Sequence, residues 1–188
     1  IVQNVTTDWA ANNNWKLSEM LKRYPDTQAT MGPATLIGRK GPDSTSDLTT
    51  TTIKEFITLH MYDPNKYLFD RRASIPNSMM EDCSPLPKPT RDFYEDKDRD
   101  IHDYKWRDHL TISIGSDKQG LTFHLHDSAW NIVLFGAKRW ILWDRTNLSS
   151  EEQTLFSRDK NTGEIMTAAE WIRTLNNHPE RQEEIKKK

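Results

Sequence analysis

The amino-acid sequence predicts a mainly β domain with flanking helices. Apolar and polar residues alternate over short stretches between 110 and 143, which is typical of half-buried strands. Elsewhere, apolar residues recur at helical spacing in a few short segments. The chain has 188 residues, enough for one sizeable core, and its seven Trp, six Phe and five Tyr supply much of the area to bury.

Composition limits the classes of function that the chain can have. The net charge of -2 gives no strong basic field, so nucleic-acid binding is not favoured. The longest apolar run, 132–135, is far too short for a transmembrane segment. Cys83 is the only cysteine, so neither an intramolecular disulfide nor a cysteine-based zinc site can form. Asn4 and Asn147 each open a glycosylation sequon, which permits a protein of the secretory pathway.

Residues 1–105 are expected to form an N-terminal region of helices and strands with proline-rich and charged connectors. Apolar residues at helical spacing predict an amphipathic helix over 15–24. Thr52 and Glu55 fit a capping box, which opens a second helix. The other expectations for this region are strands within 1–6, 27–38 and 67–69, a loop over 41–52, an extended connector over 84–89 and a charged loop over 91–107.

Residues 106–188 are expected to hold the β core and a following helical insert. Alternating apolar residues over 110–114 predict the first strand. Three further strands are expected, over 121–125, 130–134 and 139–143. A second capping box, formed by Thr167 and Glu170, opens a helix that is expected to run through Leu175.

The pair His124 and His126 is the first candidate for chemistry. Side chains two residues apart on a strand lie on the same face, so the two imidazoles can converge on a divalent transition metal. Such pairs are also common on strands that bind no metal, so the spacing alone leaves both interpretations open. Lys138 lies between the last two expected strands, where a solvent-facing role is the ordinary alternative to ligand binding.

The stretch 120–143 resembles the metal-binding half of a JmjC (jumonji) domain, a family of the cupin and Fe(II)/2-oxoglutarate oxygenase superfamily. The resemblance rests on Phe-His-Leu-His at 123–126 and on Gly-Ala-Lys-Arg-Trp at 136–140. Less specific matches at 4–10 and 52–70 extend it over most of the chain. The Phe-His-x-His form is most similar to the subgroup of jumonji domain-containing protein 8, which resides in the lumen of the endoplasmic reticulum.

The resemblance implies a double-stranded β-helix, or jelly roll, with the cofactor site of the family. Fe(II) is held there by two His and one carboxylate, which leave positions for 2-oxoglutarate and O2. By resemblance, His124 is the first metal ligand, and His126 and Asp127 complete the candidate metal set. Lys138 is the candidate partner of the distal carboxylate of 2-oxoglutarate, and Asn131 the candidate hydrogen-bond partner of the cosubstrate. No catalytic residue beyond these is assigned.

Three features depart from the family pattern. His126 stands where active members carry Asp or Glu, and Asp127 would replace that carboxylate only if the strand bulged. Leu121 stands where many relatives place a Thr that binds the cosubstrate. Nothing after Trp143 matches the late strand with the distal His, so this chain is expected to be one JmjC-type domain without its C-terminal strands.

Three functions follow from these residues. The departures favour a degenerate, non-catalytic module that holds a protein partner or a larger assembly and needs no cofactor. His124 and Lys138 favour an active Fe(II)/2-oxoglutarate-dependent protein hydroxylase or demethylase instead. A cupin-type metal or small-molecule binder is the third, because the same architecture hosts many functions. The expected compartment is the lumen of the endoplasmic reticulum, with the cytoplasm, the nucleus or another organelle as alternatives.

Overall fold

The computed structural model of the protein describes residues 3–35, 48–71, 76–87, 111–122, 124, 129–142, 158, 162–177 and 183. The helices are α1 (Ala11–Asn14), α2 (Leu17–Arg23), α3 (Ile53–Glu55), α4 (Asn77–Glu81) and α5 (Ala168–Asn177), and the strands are β1 (Gln28–Gly32), β2 (Thr49–Thr52), β3 (Tyr67–Arg71) and β4 (Thr111–Ile114). The strands form one sheet in the order β2-β1-β3-β4, and every neighbouring pair is antiparallel. No helix in the described ranges is long and apolar enough to cross a membrane.

The local sequence signals for helices are confirmed. Helix α2 lies within the expected range of 15–24. At the start of α3, the Thr52 hydroxyl accepts a hydrogen bond from the Glu55 amide at 3.1 Å, and the helix continues as a π-helical turn over Phe56–His60. The box before α5 is complete, because Thr167 and Glu170 each accept a hydrogen bond from the backbone amide of the other, at 3.2 and 2.8 Å.

The expectations for the first six residues and for 41–52 are wrong in part. Residues 3–6 form turns rather than a strand, because Asn4 has a φ of 59°, which no strand accommodates. Thr49–Thr52 form the edge strand β2 instead of loop, with Gln28 opposite Thr52 in the register. Four consecutive β-branched residues favour extended backbone, and the partner strand β1 supplies the hydrogen bonds that fix it.

The strands expected across the metal-binding motif are not formed in its described residues. Residues 121, 122 and 124, and also 130–134 and 139–142, belong to no strand. No backbone hydrogen bond joins 129–142 to another described residue. Alternating apolar residues hold a strand only where a neighbouring strand and a covered face are present. The four-stranded sheet is consistent with part of a cupin-like fold, and the complete jelly roll is not established.

The core lies between the sheet and the helices that precede and follow its strands. Leu68 of β3 and Phe56 of the π-helical turn are fully buried at its centre. The complete buried cluster is Met20, Ala29, Met31, Ile53, Phe56, Leu68, Met79, Met80 and Ile112. Because α2, the turn after α3 and α4 all contribute to it, the cluster fixes these short helices against the sheet.

A buried carboxylate, that of Asp82, joins the N-terminal helices to the end of α4. It accepts hydrogen bonds from Asn14 Nδ2 at 2.7 Å, Trp15 Nε1 at 3.0 Å and the Tyr24 hydroxyl at 2.6 Å. Burial and the bond to this carboxylate raise the pKa of Tyr24 well above its ordinary value. Beside it, the Ala11 amide donates to the Asp82 carbonyl at 3.0 Å. These four hydrogen bonds join the N-terminal segment to the end of α4.

Replacement of Asp82 should destabilise the fold. Asp82→Ala leaves three partly buried donors without an acceptor, so we expect the free energy of unfolding to fall by about 2–4 kcal/mol. Urea denaturation followed by tryptophan fluorescence measures the change. The matched control is Asp117→Ala, because the Asp117 side chain is 88% exposed and its loss should change stability by less than about 0.5 kcal/mol. Equal midpoints for the two variants would contradict the role of Asp82.

The Cys83 thiol should resist alkylation in the folded protein. It is buried beside Trp9 and Ala11, and burial raises its pKa from 9.0 to about 12. At pH 8 this leaves roughly one thiolate in ten thousand, against about one in ten for the unfolded chain. Because the pKa of the folded thiol is higher than that of the unfolded one, the folded state keeps its full stability below pH 9 and loses part of it as the pH rises towards 12. Iodoacetamide labelling followed by mass spectrometry, with and without urea, tests this, and equal rates would contradict it.

Candidate functional site

His124, the expected first metal ligand, is exposed in the structure. Its Nδ1 lies 2.7 Å from the carbonyl oxygen of Thr122. In the tautomer that makes this contact a hydrogen bond, Nδ1 carries the proton and Nε2 the lone pair. Metal-binding histidines commonly donate their second ring nitrogen in this way, because the bond fixes the tautomer and orients the ring. The contact between His124 Nδ1 and the Thr122 carbonyl is thus of the kind that orients a histidine ring.

Lys138, the expected partner of 2-oxoglutarate, contacts an aromatic ring. Its Nζ lies 4.6 Å from the centroid of the Trp140 ring, which is a cation–π contact. Although the residue is exposed overall, partial burial of the amine lowers the pKa of Lys138 below its ordinary value. The amine is thus held by the face of Trp140, and an anionic ligand would have to compete with that face for it. The only sequence feature that hints at this contact is that Lys138 and Trp140 lie two positions apart.

The chain bends at Gly136, between the preceding apolar stretch and Lys138. The bend lies between the two strands that the sequence predicts over 130–134 and 139–143. Gly136 has a φ of +78°, a left-handed conformation that residues with a Cβ rarely adopt. A Cβ there would meet no atom within 4 Å, so the backbone conformation, not crowding, is what requires glycine. The glycine of the Gly-Ala-Lys-Arg-Trp motif therefore turns the chain just before Lys138.

The structure places three of the five expected site residues. Asn131, the second expected cosubstrate contact, is exposed, as are His124 and Lys138. His126 and Asp127, the two other expected metal ligands, lie outside the described residues. Among the residues that the structure does describe, no three His, Cys, Asp or Glu side chains come together as a metal site. Of the three expected metal ligands, the described part of the chain therefore contains only His124.

Several large apolar side chains close in sequence to Asn131 and Lys138 are exposed. The exposed fractions are 48% for Trp130 and 55% for Trp140, so neither is a core residue here. The exposed large apolar side chains in this segment are Trp130, Ile132, Val133, Phe135, Trp140 and Leu142. Within 129–142, Leu134 packs against a buried cluster of described residues, Trp9, Ala11 and Cys83. We call residues 129–142 the motif segment.

Leu121 and Asp70 are two further positions whose roles in the structure are packing and hydrogen bonding. Leu121 packs against the buried pair Ala34 and Tyr67, so the position where relatives place a cosubstrate-binding Thr is used here for packing. Asp70 was not singled out from the sequence, and its buried carboxylate accepts a hydrogen bond from the Thr30 hydroxyl at 3.1 Å. Asp70 lies two residues after Leu68, so both side chains lie on the core face of β3, and this spacing could have indicated its burial.

Comparisons with known proteins give distant relatives. No family model matches the chain, and no solved structure matches it. Lysine-specific demethylase JMJ21 of Arabidopsis thaliana is 22% identical over 147 residues, which cover 76% of this chain and 14% of that protein.

Two nematode proteins give similar alignments. The bifunctional arginine demethylase and lysyl-hydroxylase psr-1 of Caenorhabditis briggsae is 28% identical over 154 residues, covering 76% of this chain and 35% of that protein. Its Caenorhabditis elegans counterpart is also 28% identical over 154 residues, covering 76% of the chain and 34% of the protein. The aligned region thus spans about a third or less of each relative. The chain is a distant homologue of JmjC-domain demethylases and hydroxylases.

Proposed function

We propose that the chain is a JmjC-type module with a degenerate cofactor site, which serves protein binding or assembly. The observation that carries this proposal is the residue at position 126, where His stands in place of the metal-binding carboxylate. A neutral imidazole cannot offset the charge of Fe(II) as a carboxylate does, so the affinity for the metal should be lower. The Phe-His-x-His form also supports the subgroup of jumonji domain-containing protein 8 as the nearest branch of the family.

The surroundings of the cosubstrate positions support the same proposal. Leu121 has no hydrogen-bond donor in its side chain and is engaged in packing. The Lys138 amine already contacts the Trp140 ring, and a dicarboxylate would gain its charge-assisted hydrogen bonds only by displacing that contact. Both features weaken the binding of 2-oxoglutarate relative to a site with a free lysine and a threonine.

The motif segment offers the chemistry that a protein partner would use. Its exposed side chains include the aromatic residues Trp130, Phe135 and Trp140. Aromatic residues are enriched at protein interfaces because they bury a large area with few rotatable bonds. An arginine, Arg139, and the lysine at 138 lie among them and would supply polar contacts at the rim.

An active protein hydroxylase or demethylase is the second candidate. The printed activities of the relatives, lysine or arginine demethylation and lysyl hydroxylation, favour it. In that case His124 would hold the metal through Nε2, with its ring oriented by the Thr122 carbonyl, and Lys138 would bind the distal carboxylate of 2-oxoglutarate. The bound Fe(II) and cosubstrate would supply the oxidation. A cupin-type binder of a metal or small molecule, without 2-oxoglutarate, would use His124 in the same way.

Restoration of the carboxylate tests the proposal. The natural full-length protein is prepared anaerobically as wild type and as the variants His126→Asp and His124→Ala, and the affinity for Fe(II) is measured by titration. We expect weak binding by the wild type and an affinity about tenfold or more higher in His126→Asp, the scale on which neighbouring groups tune metal sites. In the double variant His124→Ala/His126→Asp, that gain should be lost.

The control is His178→Ala, which removes a histidine outside the motif and should leave the affinity for Fe(II) unchanged. Tight, near-stoichiometric Fe(II) in the wild type, together with saturable 2-oxoglutarate binding that Lys138→Ala weakens, would contradict a degenerate site and establish the second candidate. Tight Fe(II) binding without any 2-oxoglutarate binding would support the cupin-type binder instead.

A further inference from the structure

Asn4 presents its side chain to solvent in the middle of a turn. The residue is exposed, and its φ of 59° is a left-handed conformation that Asn tolerates better than most residues. Its side chain makes no hydrogen bond to another residue in the described ranges. The residues that follow, Val5 and Thr6, complete an Asn-x-Thr sequon whose middle residue is not Pro.

The chain just after this turn is fixed to the core. The Trp9 side chain is 5% exposed, and its Nε1 donates to the Pro85 carbonyl at 2.6 Å. The Thr6 carbonyl accepts hydrogen bonds from the Trp9 amide at 3.1 Å and from the Asn12 side chain. The sequon therefore lies at the outer end of an anchored segment, and a large group on Asn4 would extend into solvent without displacing a buried residue.

The only cysteine does not conflict with an oxidising compartment. Cys83 is 2% exposed, and burial keeps its thiol protonated at neutral pH by raising the pKa to about 12. Disulfide exchange requires an accessible thiolate. A folded chain with this cysteine would not form mixed disulfides in the lumen of the secretory pathway, where exposed free thiols are a liability.

We propose that Asn4 is an N-glycosylation site and that this end of the chain therefore faces the lumen of the secretory pathway. The donor class is an oligosaccharide joined through a diphosphate to a polyprenyl lipid. The Asn4 Nδ2 forms a C–N bond to the anomeric carbon of the sugar and loses one proton, while the C–O bond to the diphosphate breaks and the lipid diphosphate leaves. Nothing is oxidised or reduced. The site rests on the Asn4 turn alone and is independent of whether the motif segment binds a metal.

The natural full-length protein, expressed in eukaryotic cells from its own start codon, tests this site. To isolate Asn4, the protein carries Asn147→Gln, which removes the other sequon within the 188 residues, and any sequon of the full-length protein outside them is removed by the same substitution. We expect its electrophoretic mobility to increase after treatment with peptide N-glycosidase by an amount that corresponds to one glycan. Digestion in ¹⁸O-water should convert Asn4 to ¹⁸O-labelled Asp, which mass spectrometry of the N-terminal peptide detects.

Variants at and near the sequon distinguish glycosylation from an effect on folding. In the same background, Asn4→Gln and Thr6→Ala should each abolish the mobility shift, whereas Thr6→Ser should retain it because a hydroxyl remains at that position. The matched control is Asn13→Gln, an exposed asparagine outside any sequon, which should keep the shift. The proposal is overturned if the Asn147→Gln protein shows no shift, or if the shift survives Asn4→Gln.

Discussion

The rest of the described structure depends on one buried carboxylate, that of Asp82. Its three donors come from the end of α1, from the residue that follows α1 and from the residue that follows α2, so a single side chain fixes both helices. A buried carboxylate is costly unless its oxygens are hydrogen-bonded, which makes the position of each donor a requirement of the fold. With the N-terminal segment held in this way, Trp9 and Cys83 form the small cluster against which Leu134 packs. The motif segment thus meets the folded part of the chain at a surface that Asp82 holds in place.

The candidate site residues are identified by the sequence motif, because the strands expected to carry them are not formed in the described residues. The Nδ1 atom of His124 lies 2.7 Å from the carbonyl oxygen of Thr122, two residues earlier. Lys138 has a positive charge, which could pair with an anionic cosubstrate, but its Nζ makes a cation–π contact with the Trp140 ring. At position 126 the chain carries a neutral ring in place of a carboxylate. Exposed aromatic side chains at Trp130, Phe135 and Trp140 lie in the same stretch of sequence as Lys138.

Sequence reasoning succeeds here where the signal is local. The capping boxes at Thr52 and Thr167 each involve two residues three positions apart; the box at Thr167 forms completely, and at Thr52 the hydroxyl accepts from the Glu55 amide. The strand from Thr111 to Ile114 follows from its own alternation, and the β3 strand supplies the partner it needs. In each case the residues that give the signal form hydrogen bonds with one another or with the adjoining strand.

Sequence reasoning fails where the partner is distant or absent. Strand β2 forms because β1 lies beside it, and no property of its four threonines reveals that neighbour. The donors to Asp82 are 58 to 68 residues away along the chain, so the network has no sequence signature. For the site, the motif identified His124, Asn131 and Lys138 as candidates. It did not show that Trp140 would contact the lysine, because that contact depends on the side-chain conformation of an exposed segment.

The sheet and the Asp82 network form a closed core, and no backbone hydrogen bond joins the motif segment to the rest of the described chain. Amide hydrogen exchange of the 188-residue chain, read by mass spectrometry, measures this directly. We expect slow exchange for the paired strands Tyr67–Arg71 and Thr111–Ile114, and faster exchange for residues 129–142 under the same conditions. Protection of 129–142 equal to that of the paired strands would show that the segment is part of a larger β structure and would contradict the account.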